Sequence, residues 1–309
     1  MNDVISKNMV VGSTGYCVLR CNDANDFRYV FYFCKSKGFI SSLVKVAKGA
    51  SYPAVSNSAV KNCKIPLPPL KVQRKIAETL DAANELLAMR KNQLAELDKL
   101  VKSQFEEVFG ANGKEVNLVD YVWFQEGPGV RTIDFTSEGT VLLTGSNIND
   151  NEITFGYKSD RYISNELARG KYSHFICDKD DIIVVSSAIN PERFDEKVTV
   201  IKEGQKYCLN TGIIRFKPNL EYLTLGYFRE FLKTNYFKYQ VVNKMQGIAQ
   251  MHFGPTHLKT MKMLLPDSID LQLEFDAFVK KVDLTKVKVQ KAIDETQALF
   301  DSLMNEYFE

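Results

Sequence analysis

The clearest pattern along the chain is a pair of long, narrow apolar stripes. Pro68-Pro69 disfavour a helix before them and suit the start of one after them. From there apolar residues recur at Ile76, Leu80, Ala83, Leu87, Leu94, Leu97, Val101 and Val108, with Arg90 and Gln104 in the skipped slots. A second stripe runs through Phe275, Val279, Val282, Val289, Ile293, Thr296, Phe300, Leu303 and Tyr307, with Lys286 in the skipped slot. A period near 3.5 sustained over several heptads predicts helices that pack along a seam against a partner helix. The predicted helices span 70–109, ended by Gly110 and Gly113, and 268–309, opened by Asp267 or Ser268 as N-cap. Each measures about 60 Å at ~1.5 Å per residue. If the chain between them folds back, the two pair antiparallel and form a stiff spacer.

Between the stripes the pattern changes to mixed α/β. Val141-Leu142-Leu143, Ile182-Ile183-Val184-Val185 and Ile213-Ile214-Arg215-Phe216 read as buried strands. Leu220–Tyr239 reads as one or two helices whose aromatics belong to a core. The chain also repeats itself. Ser13-Thr14-Gly15-Tyr16 corresponds to Asn210-Thr211-Gly212-Ile213, and Phe27–Phe33 to Tyr222–Phe228. Lys48-Gly49-Ala50-Ser51 corresponds to Gln246-Gly247-Ile248-Ala249, and Lys64-Ile65-Pro66-Leu67-Pro68 to Lys262-Met263-Leu264-Leu265-Pro266. Each copy then enters a long helix, so a unit is duplicated. Residues 116–198 have no counterpart in the first copy, which therefore holds only the back half of the unit.

Composition and charge narrow the class. The chain has 309 residues, 45% hydrophobic and 25% charged, enough for a globular core and ordinary solubility. No apolar run reaches membrane-spanning length, no export signal is evident, and six cysteines make no disulfide framework. The expectation is a cytoplasmic protein with no membrane partner. Charge is uneven: residues 1–69 carry nine basic against three acidic residues, and 197–262 carry eleven against three. Residues 110–196 carry eight against fifteen. Two basic stretches on related units predict a footprint for a polyanion.

Chemistry-bearing motifs are few. No phosphate-loop or dinucleotide glycine pattern occurs, and Gly127-Pro128-Gly129 reads as a turn. Asn190-Pro191-Glu192-Arg193 falls short of an amino-methyltransferase motif, lacking the second proline and the aromatic. Asp180 or Asp181 with Asp195-Glu196-Lys197 is the only set that suggests a Mg²⁺-dependent nuclease. Cys17-x3-Cys21 has no second ligand pair, and His174, His252 and His257 sit in no nucleophile pattern. A binding protein is expected, with no catalytic residue and no metal.

Leu67-Pro68-Pro69-Leu70-Lys71-Val72-Gln73-Arg74-Lys75-Ile76-Ala77-Glu78-Thr79-Leu80 leads into the first helix. With a globular unit before it, another after it and a second long helix, it resembles the specificity subunit of type I restriction-modification systems. Gly127–Arg131, Ser146-Asn147-Ile148, Arg161–Ser164, Asp181–Ser187 and Gly247–Gln250 resemble that family's target-recognition domains. The resemblance implies an α+β protein in which globular mixed α/β target-recognition domains are joined by two long antiparallel coiled-coil helices. Its divisions are a partial recognition domain (1–69), a spacer helix (70–109), a complete recognition domain (110–267) and a second spacer helix (268–309). The seam falls on Ile76, Leu80, Leu87, Leu94, Leu97, Val101, Val282, Val289, Ile293, Phe300 and Leu303.

Such a subunit does no chemistry. It reads a bipartite target in double-stranded DNA and docks methyltransferase subunits, with restriction and motor subunits joining for cleavage. S-adenosylmethionine, ATP and Mg²⁺ are expected on those partners and no cofactor on this chain. The short first domain leaves open a gene fragment, a self-dimer, or completion by another chain. Candidate DNA contacts are Arg131, Asn147, Lys158, Arg161, Ser187, Asn190, Arg193, Lys244, Gln246, Gln250 and His252, because Arg pairs with guanine and Asn or Gln with adenine. The competing classes are a coiled-coil scaffold without DNA reading and the nuclease.

Overall fold

A computed structural model describes residues 15–49, 53–110, 113–188, 190–244 and 252–309. The chain forms two compact units, one of residues 1–96 with 285–309 and one of residues 97–284.

The first unit contains α1 (Phe27–Lys35), α2 (Lys37–Val44), α3 (Asn57–Lys61) and most of α4 (Leu70–Phe109). Asp26 caps α1 by accepting from the N–H groups of Arg28 and Tyr29, and Ser36 and Ser56 cap α2 and α3. Ile76 and Leu80, near the start of α4, pack with Phe300, Leu303, Met304 and Tyr307, near the chain's end, and with Tyr29 and Tyr32 of α1. The beginning of one long helix therefore meets the end of the other, which is the antiparallel pairing the stripes predict.

The second unit begins within α4. It continues through β1 (Lys114–Asn117), the one-turn α5 (Leu118–Tyr121), β2 (Val122–Glu126), β3 (Phe135–Thr136), β4 (Thr140–Leu143), β5 (Ile148–Asn149) and β6 (Glu152–Ile153). Next come β7 (Arg161–Ile163), α6 (Asn165–Arg169), β8 (Ile182–Val185), β9 (Val198–Val200), β10 (Cys208–Leu209) and β11 (Ile213–Pro218). It closes with α7 (Leu225–Phe231), α8 (Asn235–Lys244), α9 (Pro255–Leu258), β12 (Lys262–Leu265) and the first part of α10 (Ile269–Phe308). Ser268 is the N-cap, its hydroxyl accepting from Asp270 and Leu271 N–H.

The main sheet runs β2-β11-β8-β9, antiparallel throughout. Every residue of β8 is buried because both faces are covered. Ile182 and Val184 join the core with Phe216, Phe228 and Phe237, while Ile183 and Val185 join Leu143, Leu209 and Ile213. That two-sided burial explains an apolar run where a half-exposed strand would alternate. The second sheet, β10-β4-β7-β3, has one parallel pair, β10 with β4. The aromatics of α7 and α8 are core, with Tyr227, Phe228, Phe231 and Phe237 at most 1% exposed.

The seam departs from the expected register at one end. Ile76, Leu80, Leu87, Val101, Val282, Val289 and Ile293 are buried, and Leu94, Leu97, Phe300 and Leu303 are half-buried. Beyond Val101, however, the buried positions are Phe105 and Phe109, not Gln104 and Val108. Two steps of four turn the stripe so that both rings lie 5.5 Å from Phe275 and about 5 Å from Tyr227. A strict 3.5 repeat gives way to the natural 3.6 where an aromatic cluster replaces the helix seam.

The duplication is visible atom by atom. Tyr29 donates its hydroxyl to Pro66 O, and Tyr227 donates to Leu264 O, so Phe27–Phe33 corresponds to Leu225–Phe231 and not, as the aromatic pattern suggests, to Tyr222–Phe228. Ser36 Oγ accepts from Phe39 N–H, and Thr234 Oγ1 accepts from Phe237 N–H, both at 3.2 Å. Gln73 accepts from Asp26 N–H and donates to Pro68 O. Gln272 accepts from Thr224 N–H and donates to Tyr222 O. Gln73 is 2% exposed and Gln272 fully buried. In each unit this glutamine ties the start of a long helix to the cap of the helix packed on it.

Candidate functional site

In the second unit four segments meet at one end of the main sheet: the end of β2 with Gly127, the end of β8 with Ser186 and Ser187, the turn before β11, and residues 252–254. Ser187 and His252 form an isolated antiparallel bridge, and Phe253 N–H donates to Ser186 O at 3.0 Å. Gly212 has φ +77°, and a Cβ there would lie 2.7 Å from Ser187 Cβ. A Cβ on Gly127 would lie 2.2 Å from Asn210 O. Only glycine permits either approach, which gives the Thr-Gly of the repeat its physical meaning. Glu126 is held here too, accepting from Gly212 N–H at 3.4 Å with His252 Nε2 3.8 Å away. Ser186 Oγ is buried without a hydrogen-bond partner.

The candidate residues are distributed as follows. Ser187, Asn190, Arg193 and His252 belong to this sheet end or the turn leaving it. Asn190 caps that turn by accepting from Glu192 N–H, and Arg193 pairs with Glu196 through Nε at 2.8 Å. Arg131 is exposed in the loop that follows Gly127. Lys158 and Arg161 are exposed beside β7, and Arg161 Nη1 donates to the carbonyls of Lys158 and Asp160. Lys244 is the last residue of α8; Gln246 and Gln250 lie outside the described residues.

Asn147 is the clearest correction. It is fully buried, donates to Thr154 O and Asp160 Oδ1, and its oxygen accepts from Thr144, so no base edge can reach it. Its part is to brace the 156–160 loop that carries Lys158. Burial pushes the Asp160 carboxyl up, but the Gly156 N–H, the Asn147 amide and the Tyr157 N–H outweigh it and hold the group below the usual carboxylate range.

The charge argument is also corrected. Of the basic residues in 197–262, Lys202 pairs with Glu152, Arg215 with Asp181, Lys217 with Asp178 and Asp181, and Lys238 with Asp195. Arg229 and Lys233 pair with Glu230, and Lys197 donates to Asn149. Four of these cations, Lys202, Arg215, Lys217 and Lys238, are matched by the acidic stretch before them, so half of the excess of eight is a feature of folding before it is a footprint. Arg215 is 6% exposed, stacks over Trp123 and also donates to Ile176 O and His174 O.

The same pairings disperse the imagined nuclease set. Asp181 is bound to Arg215 and Lys217, while Asp195 is bound to Lys102 and Lys238. Among the described residues no group of three or more His, Cys, Asp or Glu is placed to hold a metal ion. No helix of the described residues is long and apolar enough to cross a membrane. Glu126 is the site residue that sequence reasoning missed; its one signal was a carboxylate directly before Gly-Pro-Gly.

Comparison with known proteins supplies the context for this geometry. Residues 2–99 match the type I restriction modification DNA specificity domain family. The chain is 24% identical, over 97% of its own length and 74% of the relative's, to the type I restriction enzyme MjaVIII specificity subunit of Methanocaldococcus jannaschii. It is 28% identical over 105 residues to the MjaIX specificity subunit of the same organism, 34% of this chain and 24% of that one. A chain from a structure of type I restriction-modification complex assembly and conformational transition superposes with TM-score 0.58 at 21% identity, covering 96% of this chain and 75% of that one. The type I restriction-modification S subunit from M. genitalium gives TM-score 0.53 at 17% identity, covering 92% and 73%. These two structures share the fold.

Proposed function

We propose, from its likeness to type I restriction-modification specificity subunits, that the chain is the DNA-reading subunit of such a system. The second unit reads one part of a bipartite target in double-stranded DNA. Ser187, Asn190, Arg193 and His252 supply contacts at the sheet end, Arg131, Lys244, Gln246 and Gln250 are further candidate contacts, and Lys158 and Arg161 add phosphate contacts beside β7. Glu126 joins them as an acceptor suited to a cytosine amino group. The paired long helices dock methyltransferase subunits, and restriction and motor subunits complete the cleaving complex. S-adenosylmethionine, ATP and Mg²⁺ belong to those partners. This chain contributes recognition and no catalytic group.

What supports this reading most is that the likeness runs through both long helices and both copies of the repeat, 97% of the chain, not through one module. A scaffold without DNA reading accounts for the helices and leaves the duplicated globular units unexplained. The test is selection from a randomised duplex library, with the chain assembled on its methyltransferase partners. Arg193→Ala and Gln250→Ala are each expected to relax the preference at one base position and to cost about 1–3 kcal/mol. If both variants select the wild-type sequence with undiminished preference, the assignment of these residues to the reading surface is wrong.

A further inference from the structure

The turn that carries Asn190 and Arg193 is fixed at both ends. On entry, Ser186 N–H donates to Gly212 O at 2.8 Å, Phe253 N–H donates to Ser186 O at 3.0 Å, and Ser187 bridges His252. This clamp holds Ser186 fully buried even though its hydroxyl finds no hydrogen-bond partner among the described residues. On exit, Phe194 is 1% exposed, with its ring centroid 6.2 Å from those of Phe237 and Phe253. Asp195 pairs with Lys102 and Lys238, Glu196 O accepts from Asn151 N–H, and Lys197 donates to Asn149. The course the chain takes out of Ser187 therefore decides where Asn190 and Arg193 stand.

That course is set at Ala188, whose φ is +53°. Among the described residues the other non-glycine positions with positive φ are Asp150, Asn151 and Asp180. Short polar side chains of that kind bond locally and tolerate left-handed backbone, whereas the Cβ of an alanine only crowds the following carbonyl. Burial does not offset the crowding, because Ala188 is exposed. Glycine takes such backbone without strain, as Gly212 does beside Ser187 at φ +77°. Stability alone would thus favour glycine at 188. What alanine adds is restriction. The fixed ends hold the residue at positive φ, where alanine has one narrow well and glycine has nearly the whole half of the map.

We infer that Ala188 is a positioning residue, which gives up fold stability to hold Asn190 and Arg193 on a single course toward DNA. This role rests on the proposed reading of DNA at this sheet end. Backbone held in a sparsely populated region persists where the surroundings over-determine it, and here the clamp on Ser186 and the packing of Phe194 do so. A side chain ordered before binding costs less to immobilise on binding, so the return is selectivity.

The experiment uses the full chain assembled on its methyltransferase partners, with the duplex that the wild type selects and single-mismatch versions of it. Ala188→Gly is expected to raise the unfolding midpoint of the chain, followed by Trp123 fluorescence, by about 1–3 °C. The same variant is expected to lose about threefold or more of the discrimination against mismatched duplexes. Exchange at the Glu192 and Arg193 amides, which bond to Asn190, should quicken in it. Ala188→Asn keeps a Cβ in a residue type that tolerates left-handed backbone, and should retain discrimination to within about twofold. Unchanged discrimination in Ala188→Gly overturns the inference. So does a lower unfolding midpoint accompanying the loss, because the alanine would then serve the fold alone. A loss with Ala188→Asn as large as with Ala188→Gly is equally fatal. A wild type that selects no sequence fells the DNA reading itself and this role with it, a failure visible before any variant is made.

Discussion

Replacing Gln272 with methionine tests the join between a long helix and the unit it carries. Methionine keeps the volume and removes both polar ends. Thr224 N–H loses its acceptor and Tyr222 O its donor, each now bonded at 2.9 Å. A buried polar group left unpaired costs about 1–3 kcal/mol. Thr224 is 8% exposed and bears the full cost, while Tyr222 is 48% exposed and its carbonyl recovers part from water. The sum is about 3 kcal/mol, or a fall in Tm of roughly 6–12 °C for a unit of this size. The assay is built in: the only tryptophan, Trp123, lies on β2 of the second unit, so its fluorescence during urea or thermal unfolding reports that unit. Exchange at the Thr224 amide should rise in parallel. A loss below about 0.5 kcal/mol with Thr224 still protected refutes the reasoning, because the two bonds would then be dispensable to the join.

Two further outcomes follow from side chains already described. Burial pushes the Asp26 carboxyl up, but the Arg28 side chain and the Arg28 and Tyr29 N–H groups outweigh it and hold the group below its ordinary value. A lowered native pKa gives stability that is present above the ordinary value and lost as pH falls through the native one. Protection of α1 amides is therefore expected to drop below about pH 4, and Asp26→Asn to flatten that drop. Arg215→Met leaves Asp181 buried at 1% exposure with Lys217 and the Asp178 N–H as its remaining partners. A loss of about 3–5 kcal/mol in the Trp123 unfolding curve is expected, and a neutral result would show that the pair serves something other than stability.

The parts of the fold legible in the sequence were those set by periodicity and by local steric need. Both helices start and stop where Pro69, Gly110 and Ser268 place them, and the three apolar runs are β4, β8 and β11. What failed was whatever depended on distant partners. Phe105 and Phe109 look like off-register positions until Tyr227 and Phe275 arrive beside them. Asn147 looks like an exposed polar residue in a turn, and only Asp160, thirteen positions on, reveals it as an internal brace. Gln73 was legible as part of a motif but not as a clamp, since its acceptor contact with Asp26 spans 47 positions.

Charge shows the same limit, and its correction sharpens the salt dependence of DNA binding. A composition reading of 197–262 offers eleven cations to phosphate, which implies a very steep fall in affinity with salt. Yet Lys202, Arg215, Lys217, Arg229, Lys233 and Lys238 already hold carboxylates. Opening such a pair forfeits as much as a phosphate contact returns, so these should not count. The proposed contacts from Arg131, Lys158, Arg161 and Lys244 remain, and at about 0.9 per neutralised phosphate the slope of log affinity against log salt comes to roughly −4. Titrating a cognate half-site duplex between low and moderate salt measures it directly. A slope near −8 would mean that the internal pairs open on DNA and that the acidic stretch gates binding. A slope near zero would remove phosphate from the interface altogether, and with it the role given to the loop beside β7.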